Sequence, residues 1–301
     1  MAKPKLIVIV GPTASGKTDL AIKIAKQFDG EVISADSRMV YRGMDIGTAK
    51  PEGKRGESYM INGVPHWGID ILEPDEDFTA ANFKKYADQT IKEIIERGHV
   101  PILAGGTGLY VSAVVDNLTF TEVPPNEDLR QKLEALTNDE LLARISEKDP
   151  KTAETIDAAN RRRLIRALEI IETTGEPLAK QQRKGKSKYE VLEIAIDLPR
   201  EELYERIDQR VDRLIATGLV DEVRGLKEQY GCEINAMTGI GYRQICAFLQ
   251  GFIKLKDAIE LLKRDTRHYA KRQMTWFRRD DRIKGISSDN QALELVKNFL
   301  R

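Results

Sequence analysis

Leu6-Ile7-Val8-Ile9-Val10-Gly11-Pro12-Thr13-Ala14-Ser15-Gly16-Lys17-Thr18 is a run of five aliphatic residues that empties into a complete G-x-x-x-x-G-K-[ST] loop. An unbroken aliphatic run bounded by glycine predicts a short buried strand. In the loop, the glycines let the backbone curl around an anion with several N–H groups pointing inward. Lys17 adds a point charge, Thr18 offers a hydroxyl to Mg²⁺, and a following helix presents its positive end. The segment Asp19 to Phe28 is amphipathic, as that helix requires. A glycine-rich strand-to-helix turn is the plain alternative, and both flanks speak for a phosphate site. The loop by itself does not choose among ATP, GTP and any other bound pyrophosphate.

Working outward, Glu31 to Ala35 and Val100 to Ala104 are further short apolar runs. Helical patterns separate them, with Phe83, Ala87, Ile91 and Ile94 at near-helical spacing. That alternation predicts an α/β core of the P-loop NTPase type with a mainly parallel sheet, its crevice at the carboxyl ends of the strands. Asp36 and Gly105-Gly106-Thr107 then fall beside the phosphate loop. After about Val115 the pattern changes. From Pro124-Pro125 to Lys188 it is helical only, with Leu129, Leu133 and Leu136, then Leu141, Leu142 and Ile145, then Leu164, Leu168 and Ile171. A strand-like Val191 to Ile196 restarts the α/β signature. The expectation is a small all-helical domain, residues 116–190, inserted into a core made of 1–115 and 191–301, with the basic stretch Lys180 to Lys188 as a mobile return loop. Four more helices are expected at Arg200 to Thr217, Val220 to Tyr230, Tyr242 to Gln250 and Lys256 to Arg278.

The 301 residues carry 48 Lys plus Arg against 48 Asp plus Glu, so net charge points to no partner and only the placement of charge is informative. Cys232 and Cys246 lack C-x-x-C spacing, and the three histidines are scattered. Reduced thiols and no zinc site are expected. No stretch reaches the ~20 apolar residues that span a bilayer, and the first residues lack a signal-peptide apolar segment. A cytoplasmic protein without membrane contact is expected, and a monomer, since no long exposed apolar face is evident.

A carboxylate at a strand's carboxyl end near a phosphate loop suits a general base, or a residue holding the water shell of Mg²⁺, and position alone leaves both open for Asp36. Capping of the next turn is the plain reading. Arg206 and Arg210, at i and i+4, are either solvated arginines paired with Glu202 or Asp208, or a pair gripping a leaving pyrophosphate. Arg161, Arg162, Arg163 and Arg166 form one basic cluster. Lys263, Arg264, Arg267, Lys271, Arg272, Arg278 and Arg279 form another, interleaved with His268, Tyr269, Trp276 and Phe277. Cations beside stacking aromatics suit RNA, although an ordinary amphipathic helix would show the same stripe.

Taken together, Gly11 to Thr18, Asp36-Ser37 through Thr48-Ala49-Lys50-Pro51, Gly105-Gly106-Thr107-Gly108-Leu109-Tyr110, Arg166-Ala167-Leu168-Glu169, Gly239-Ile240-Gly241-Tyr242-Arg243-Gln244 and Tyr269 through Phe277 resemble the bacterial tRNA dimethylallyltransferase family, in order and over nearly the whole chain. The resemblance implies transfer of a dimethylallyl group from dimethylallyl diphosphate to N6 of the adenosine immediately 3′ of the anticodon, in tRNAs that read codons beginning with U. It reassigns the phosphate loop to a prenyl diphosphate, with Mg²⁺ near Thr18. It makes Asp36 the catalytic carboxylate, places Thr107 against substrate and puts Arg210 on the diphosphate side. RNA contacts carry over to Asp36, Ser37, Arg38, Met39, Gly106, Thr107, Arg130, Arg161, Arg162, Arg163, Leu164, Ile165, Gly239, Gly241, Tyr242, Arg243, Lys271, Arg272, Trp276 and Arg278, although the family commonly has other residues in place of Arg38 and Met39. The inserted domain would supply a second jaw around the anticodon stem-loop.

Three other readings share parts of this pattern. A phosphate-loop kinase explains the loop and Asp36 but leaves Arg161 to Arg166 idle. A prenyltransferase acting on free adenine nucleotides leaves the RNA-facing strips idle. A non-catalytic RNA binder does not need an intact Lys17, Thr18 and Asp36.

Overall fold

A computed structural model describes residues 3–120, 123–124, 126–178 and 184–301. The chain divides into two compact units, one comprising 1–115 and 188–301, the other Asp116–Ser187.

The larger unit is built on a seven-stranded sheet: β1 (Lys5–Val10), β2 (Gly30–Ala35), β3 (Tyr59–Ile61), β4 (Val64–Trp67), β5 (Val100–Gly105), β6 (Glu190–Ile196) and β7 (Lys284–Ile286). Their order is β3-β4-β2-β5-β1-β6-β7, parallel throughout except for the β3/β4 pair. β1 lies between β5 and β6, with Val10 opposite Gly105 on one side and Ala195 on the other. Because side chains alternate along a strand, β1 serves two cores. Ile7 and Ile9 face one layer with α1 (Lys17–Phe28) and α12 (Asp289–Leu300). Leu6, Val8 and Val10 face the other with α2 (Ala80–Glu96) and α3 (Gly108–Val115). Phe83, Ala87, Ile91 and Ile94, the stripe legible in the sequence, are all fully buried on α2.

Four helices complete this unit: α8 (Arg200–Ala216), α9 (Leu219–Tyr230), α10 (Tyr242–Leu249) and α11 (Leu255–Phe277). They pack around Val211, Leu219, Val223, Ile245 and Leu262, and against Val40, Tyr41 and Met44 from the segment that follows β2. Cys232 and Cys246 are not free thiols. They are joined as a disulfide with Cα atoms 6.1 Å apart, because the folded α9–α10 connection brings together two residues whose sequence spacing carried no pairing signal.

The smaller unit holds α4 (Glu127–Glu134), α5 (Asn138–Lys148), α6 (Pro150–Thr155) and α7 (Arg161–Thr174) around Leu133, Leu141, Ile145, Leu164 and Leu168. Its buried Glu169 carboxylate takes Arg130 Nε at 2.9 Å, the backbone N–H of Asn126 at 2.8 Å, and the Arg166 guanidinium. Most of the basic return loop expected from Lys180 lies outside the described residues; Lys184 onward is ordered against Asp116 and Asn117. Among the described residues no helix is long and apolar enough to cross a membrane.

Candidate active site

The loop between β1 and α1 is shaped by backbone conformations that only small residues take easily. Gly11 has φ +151°, Ala14 +64° and Gly16 +91°, Gly16 being the residue just before α1. No side chain caps α1, so its first N–H groups are left for an anion. Lys17 Nζ donates to Pro12 O at 2.6 Å, folding its ammonium back over the loop. Ser15 Oγ is buried without a partner among the described residues, and a Cβ at Gly11 would sit 3.1 Å from it.

Asp36 follows β2 at the sheet's carboxyl edge. Its Oδ1 accepts the backbone N–H groups of Arg38 at 2.8 Å and Met39 at 3.2 Å, an Asx-type turn that fixes the carboxylate and leaves Oδ2 with no hydrogen bond among the described residues. Thr107, just past β5, accepts Ser37 N–H on Oγ1 at 3.1 Å and hydrogen-bonds with Tyr269 of α11. Burial pushes the Tyr269 phenol up to about 12, with the Asp36 charge adding and the Thr107 bond opposing, so it stays a neutral phenol at physiological pH. From the same helix Gln273 reaches under the loop. Its Oε1 accepts Thr13 N–H at 2.9 Å and its Nε2 donates to Gly106 O at 2.8 Å. One buried amide therefore clamps the phosphate loop to the β5 edge.

Two cavities meet here. The larger, about 740 Å³, runs along Thr13 to Thr18 and is walled by Asp36, Gly106, Arg210 and Tyr269. The smaller, about 300 Å³, also touches Thr13, Asp36, Arg210 and Tyr269 but continues into an apolar recess of Ile207, Val211, Leu214, Ile240 and Leu262. Asp36 and Arg210 thus stand on the shared boundary between the phosphate-loop chamber and one that ends in an apolar recess. Arg210 Nη2 donates to Thr48 O at 2.9 Å, and burial pushes the guanidinium below its ordinary value while Asp36 opposes. Burial likewise brings Lys17 down to about 8, with the Arg210 charge adding and Asp36 resisting. Lys17 and Arg210, two cations held together at that cost with Asp36 as the carboxylate that counters both, form a site built to receive an anion.

The remaining sequence candidates sort by geometry. Lys271 and Arg272 are exposed along α11 and Arg278 just past its end, and Trp276 is 43% exposed with its ring against Gly108, where a Cβ would stand 2.6 Å from it. Arg162 and Arg163 are exposed on α7 and pair with no carboxylate among the described residues. Met39 lines the larger cavity. Gly241, at φ +99°, precedes α10 and donates its N–H to Gln244. Several basic groups are committed to the protein itself. Arg38 spans to Asn235 O at 2.8 Å and Thr238 Oγ1 at 3.3 Å, lying over Gly239. Arg161 holds Leu136 O at 2.7 Å, Arg130 holds Glu169, and Arg243 pairs with Asp265 at 2.7 Å. Arg206 is bound to Glu202 at 2.6 Å with both side chains near half exposed, which is the solvated pairing. Three expectations are corrected. Leu164 and Ile165 belong to the apolar stripe of α7 and are buried in its core, so their side chains offer no surface to RNA. Tyr242 is 1% exposed and donates its hydroxyl to Glu222 at 2.8 Å, which leaves its side chain equally closed to RNA.

Sequence reasoning passed over Gln273, Glu222 and the cavity role of Tyr269. Gln273 carried a readable signal. It sits on the inward stripe Ala258, Leu262, Ala270, Phe277 of α11, and a polar residue on an apolar stripe needs a buried partner.

The sequence profile of the IPP transferase family matches residues 39–280. The chain belongs to this family. Among relatives of this IPP transferase, the tRNA dimethylallyltransferase of Pelotomaculum thermopropionicum is 44% identical over 296 residues, 96% of this chain and 93% of its own. That of Moorella thermoacetica is 46% identical over 303 residues, 98% and 93% of the two chains. The solved tRNA isopentenylpyrophosphate transferase of Bacillus halodurans superposes with a TM-score of 0.72 at 42% identity, covering 99% of this chain and 96% of that one. A eukaryotic dimethylallyltransferase, captured crystallographically acting on tRNA, superposes at 0.73 with 30% identity, over 91% of this chain and 69% of its own. The family's α/β fold is therefore this chain's fold.

Proposed function

We propose that this IPP transferase moves the dimethylallyl group of dimethylallyl diphosphate to N6 of the adenosine immediately 3′ of the anticodon, in tRNAs reading codons that begin with U, and releases diphosphate. The observation that carries the reading is the boundary between the two cavities, where Asp36 and Arg210 face both a phosphate-loop chamber and an apolar recess. A kinase has no use for the recess, whereas an allylic diphosphate has one end for each chamber.

The diphosphate lies against the amides of Ala14 and of Gly16 to Thr18, since Thr13 N–H is held by Gln273 and Ser15 N–H by Pro12 O, with Lys17 and Arg210 opposing the charge that grows on it as the C1–O bond breaks. The electron pair leaves with diphosphate while C1 is joined by the N6 lone pair. An exocyclic adenine amine is a poor nucleophile because that pair is delocalised into the ring. Asp36 Oδ2, free of other hydrogen bonds among the described residues, takes the N6 proton as the N–C bond forms, an assistance typically worth about 10² to 10⁴ in rate. Tyr269 lines the same boundary, and Thr107, behind it through its bond from Ser37 N–H, steadies the Asp36 loop against which the base is oriented.

Mg²⁺ fits this site. The Thr18 hydroxyl borders the larger cavity without a hydrogen-bond partner among the described residues, and no cluster of three carboxylate, histidine or cysteine ligands exists among them, so diphosphate oxygens and water would complete the shell. When bound, the ion would neutralise charge on the leaving group. We place the reaction in the cytoplasm, with the chain acting as a monomer.

The deciding experiment incubates the purified chain with Mg²⁺, dimethylallyl diphosphate and unmodified tRNA, then weighs the digested nucleosides. A five-carbon gain on one adenosine supports the proposal. Hydrolysis of ATP with no alkylated adenosine would replace it with the kinase reading.

A further inference from the structure

The segment Asp45–Lys50 forms a single tight turn. Ala49 N–H donates to Ile46 O at 2.8 Å and Lys50 N–H to Asp45 O at 2.9 Å, with Ala49 at φ +48°. Such a turn has three outward N–H groups at its start and unpaired carbonyls at its end. Both ends are held by side chains from elsewhere. Glu222, on α9, accepts Asp45 N–H at 2.9 Å and Ile46 N–H at 2.5 Å on Oε2, and Gly47 N–H at 2.9 Å on Oε1. The same Oε1 takes the Tyr242 hydroxyl at 2.8 Å. At the far end Thr48 O accepts Arg210 Nη2 at 2.9 Å. A carboxylate thus sits at the positive end of the turn and a guanidinium at the negative end, the favourable orientation for both charges.

Arg210 donates to no other protein acceptor among the hydrogen bonds of the described residues, so Thr48 O is its tether. The carbonyl can aim the guanidinium only if the turn is fixed, and Glu222 fixes it. Gly47 leaves no slack, since a Cβ there would meet the Tyr242 ring at 2.5 Å.

We propose that Glu222 is a positioning residue for the diphosphate-side cation. It holds the Asp45–Lys50 turn so that Thr48 O presents Arg210 to the boundary of the two cavities. This role deepens the transferase function and rests on it. A carboxylate is required because all four groups facing Glu222 are donors. A carboxamide serves two of them with its oxygen, and its own N–H groups, which the Tyr242 hydroxyl could turn to accept, oppose a backbone N–H of the turn that cannot turn.

The test is a double-mutant cycle on the full chain, read as single-turnover prenyl transfer to tRNA. Glu222→Gln is expected to lower the rate about tenfold with tRNA affinity unchanged, whereas in an Arg210→Ala background it should cost less than about twofold, since its effect passes through Arg210. A Glu222→Gln loss of equal size in both backgrounds would assign Glu222 to general stability and overturn the proposal, as would wild-type rates in the single variant. Should Glu222→Gln fail to fold by thermal melt, Glu222→Asp, which keeps four acceptor sites on a shorter stem, enters the same cycle with the same criterion. Inactivity of the wild-type chain would instead refute the transferase reading, leaving the cycle's answer to pyrophosphate affinity measured by calorimetry with the same four proteins.

Discussion

At Lys17 the cost of gathering charge before substrate arrives becomes measurable. Its ammonium titrates near 8 because burial and Arg210 outweigh Asp36. Below that pH the side chain is charged in folded and unfolded chains alike, and the fold bears the desolvation. Between about 8 and the ordinary lysine value near 10.4, the folded chain sheds a proton that the unfolded chain keeps, so this group's contribution to stability rises with pH. Ligand binding follows the opposite sign, because diphosphate needs the ammonium. Pyrophosphate affinity of the wild type, taken relative to Lys17→Met at each pH so that the ligand's own titration cancels, should fall by up to about tenfold per pH unit above 8. A ratio flat from pH 7 to 9 in calorimetry would show that the proton is held elsewhere. Asp36 is tested by separating steps. Asp36→Ala should slow single-turnover transfer by about 10² to 10⁴ while tRNA affinity changes little; equal losses in both would make it an RNA contact and not a base.

Elements matter here through how closely their ends approach. Gly105 closes β5 opposite Ala35 of β2, and a Cβ there would lie 2.2 Å from Ala35 O, a backbone atom with nowhere to go. Gly105→Ala should destabilise the protein by about 1–3 kcal/mol and reduce transfer further, since the strand it pushes carries Asp36. Gly225, exposed on α9 with nothing within 4 Å of its would-be Cβ, is the internal contrast: Gly225→Ala should raise stability by about 0.5–1 kcal/mol without touching transfer. Thermal melts of the two variants moving in opposite directions would bear this out; both moving down would not. The same difference between local pattern and tertiary approach explains what the sequence could tell. β1, β2, β5 and β6 were legible as apolar runs, and α2 and α8 to α11 as stripes. The β3/β4 hairpin was overlooked although Asn62-Gly63, at φ +50° and +80°, is the turn pair that hairpins favour. β7 was overlooked because a three-residue strand has no period to read, and α12 was overlooked despite the Ser288 cap that opens it. Asp36, Lys17 and Thr107 could be read because motif and strand end coincide. Glu222 could not, because its three amide partners lie some 175 residues away in the chain, and the disulfide escaped because its 14-residue spacing matches no motif.

On the scale of the whole chain, the question is what the Asp116–Ser187 unit adds to a site that the other unit already completes. Every residue walling the two cavities belongs to 1–115 or 188–301. The smaller unit has its own core and its own buried ion cluster at Glu169. Its two ends are tied to each other, since Gly185 N–H reaches Asp116 O at 3.1 Å and Asn117 Nδ2 donates to Lys186 O at 3.1 Å. A short Gly-Ser bridge in place of residues 118–184 therefore asks no strand of the sheet to move. What it removes includes Arg162 and Arg163, exposed cations that no carboxylate claims among the described residues. The deletion protein should bind Mg²⁺ and pyrophosphate as the full chain does, within about twofold, because that affinity arises at the phosphate loop. Its tRNA affinity should fall, and the slope of log K against log salt should become shallower by about 1 for each RNA phosphate that the deletion leaves without a cation. Unchanged slope would place the RNA-binding surface on the larger unit, with α11, its Lys271 and Arg272, and the Arg278 that follows it carrying it. Loss of pyrophosphate binding would mean instead that the phosphate loop needs the insertion to hold its shape.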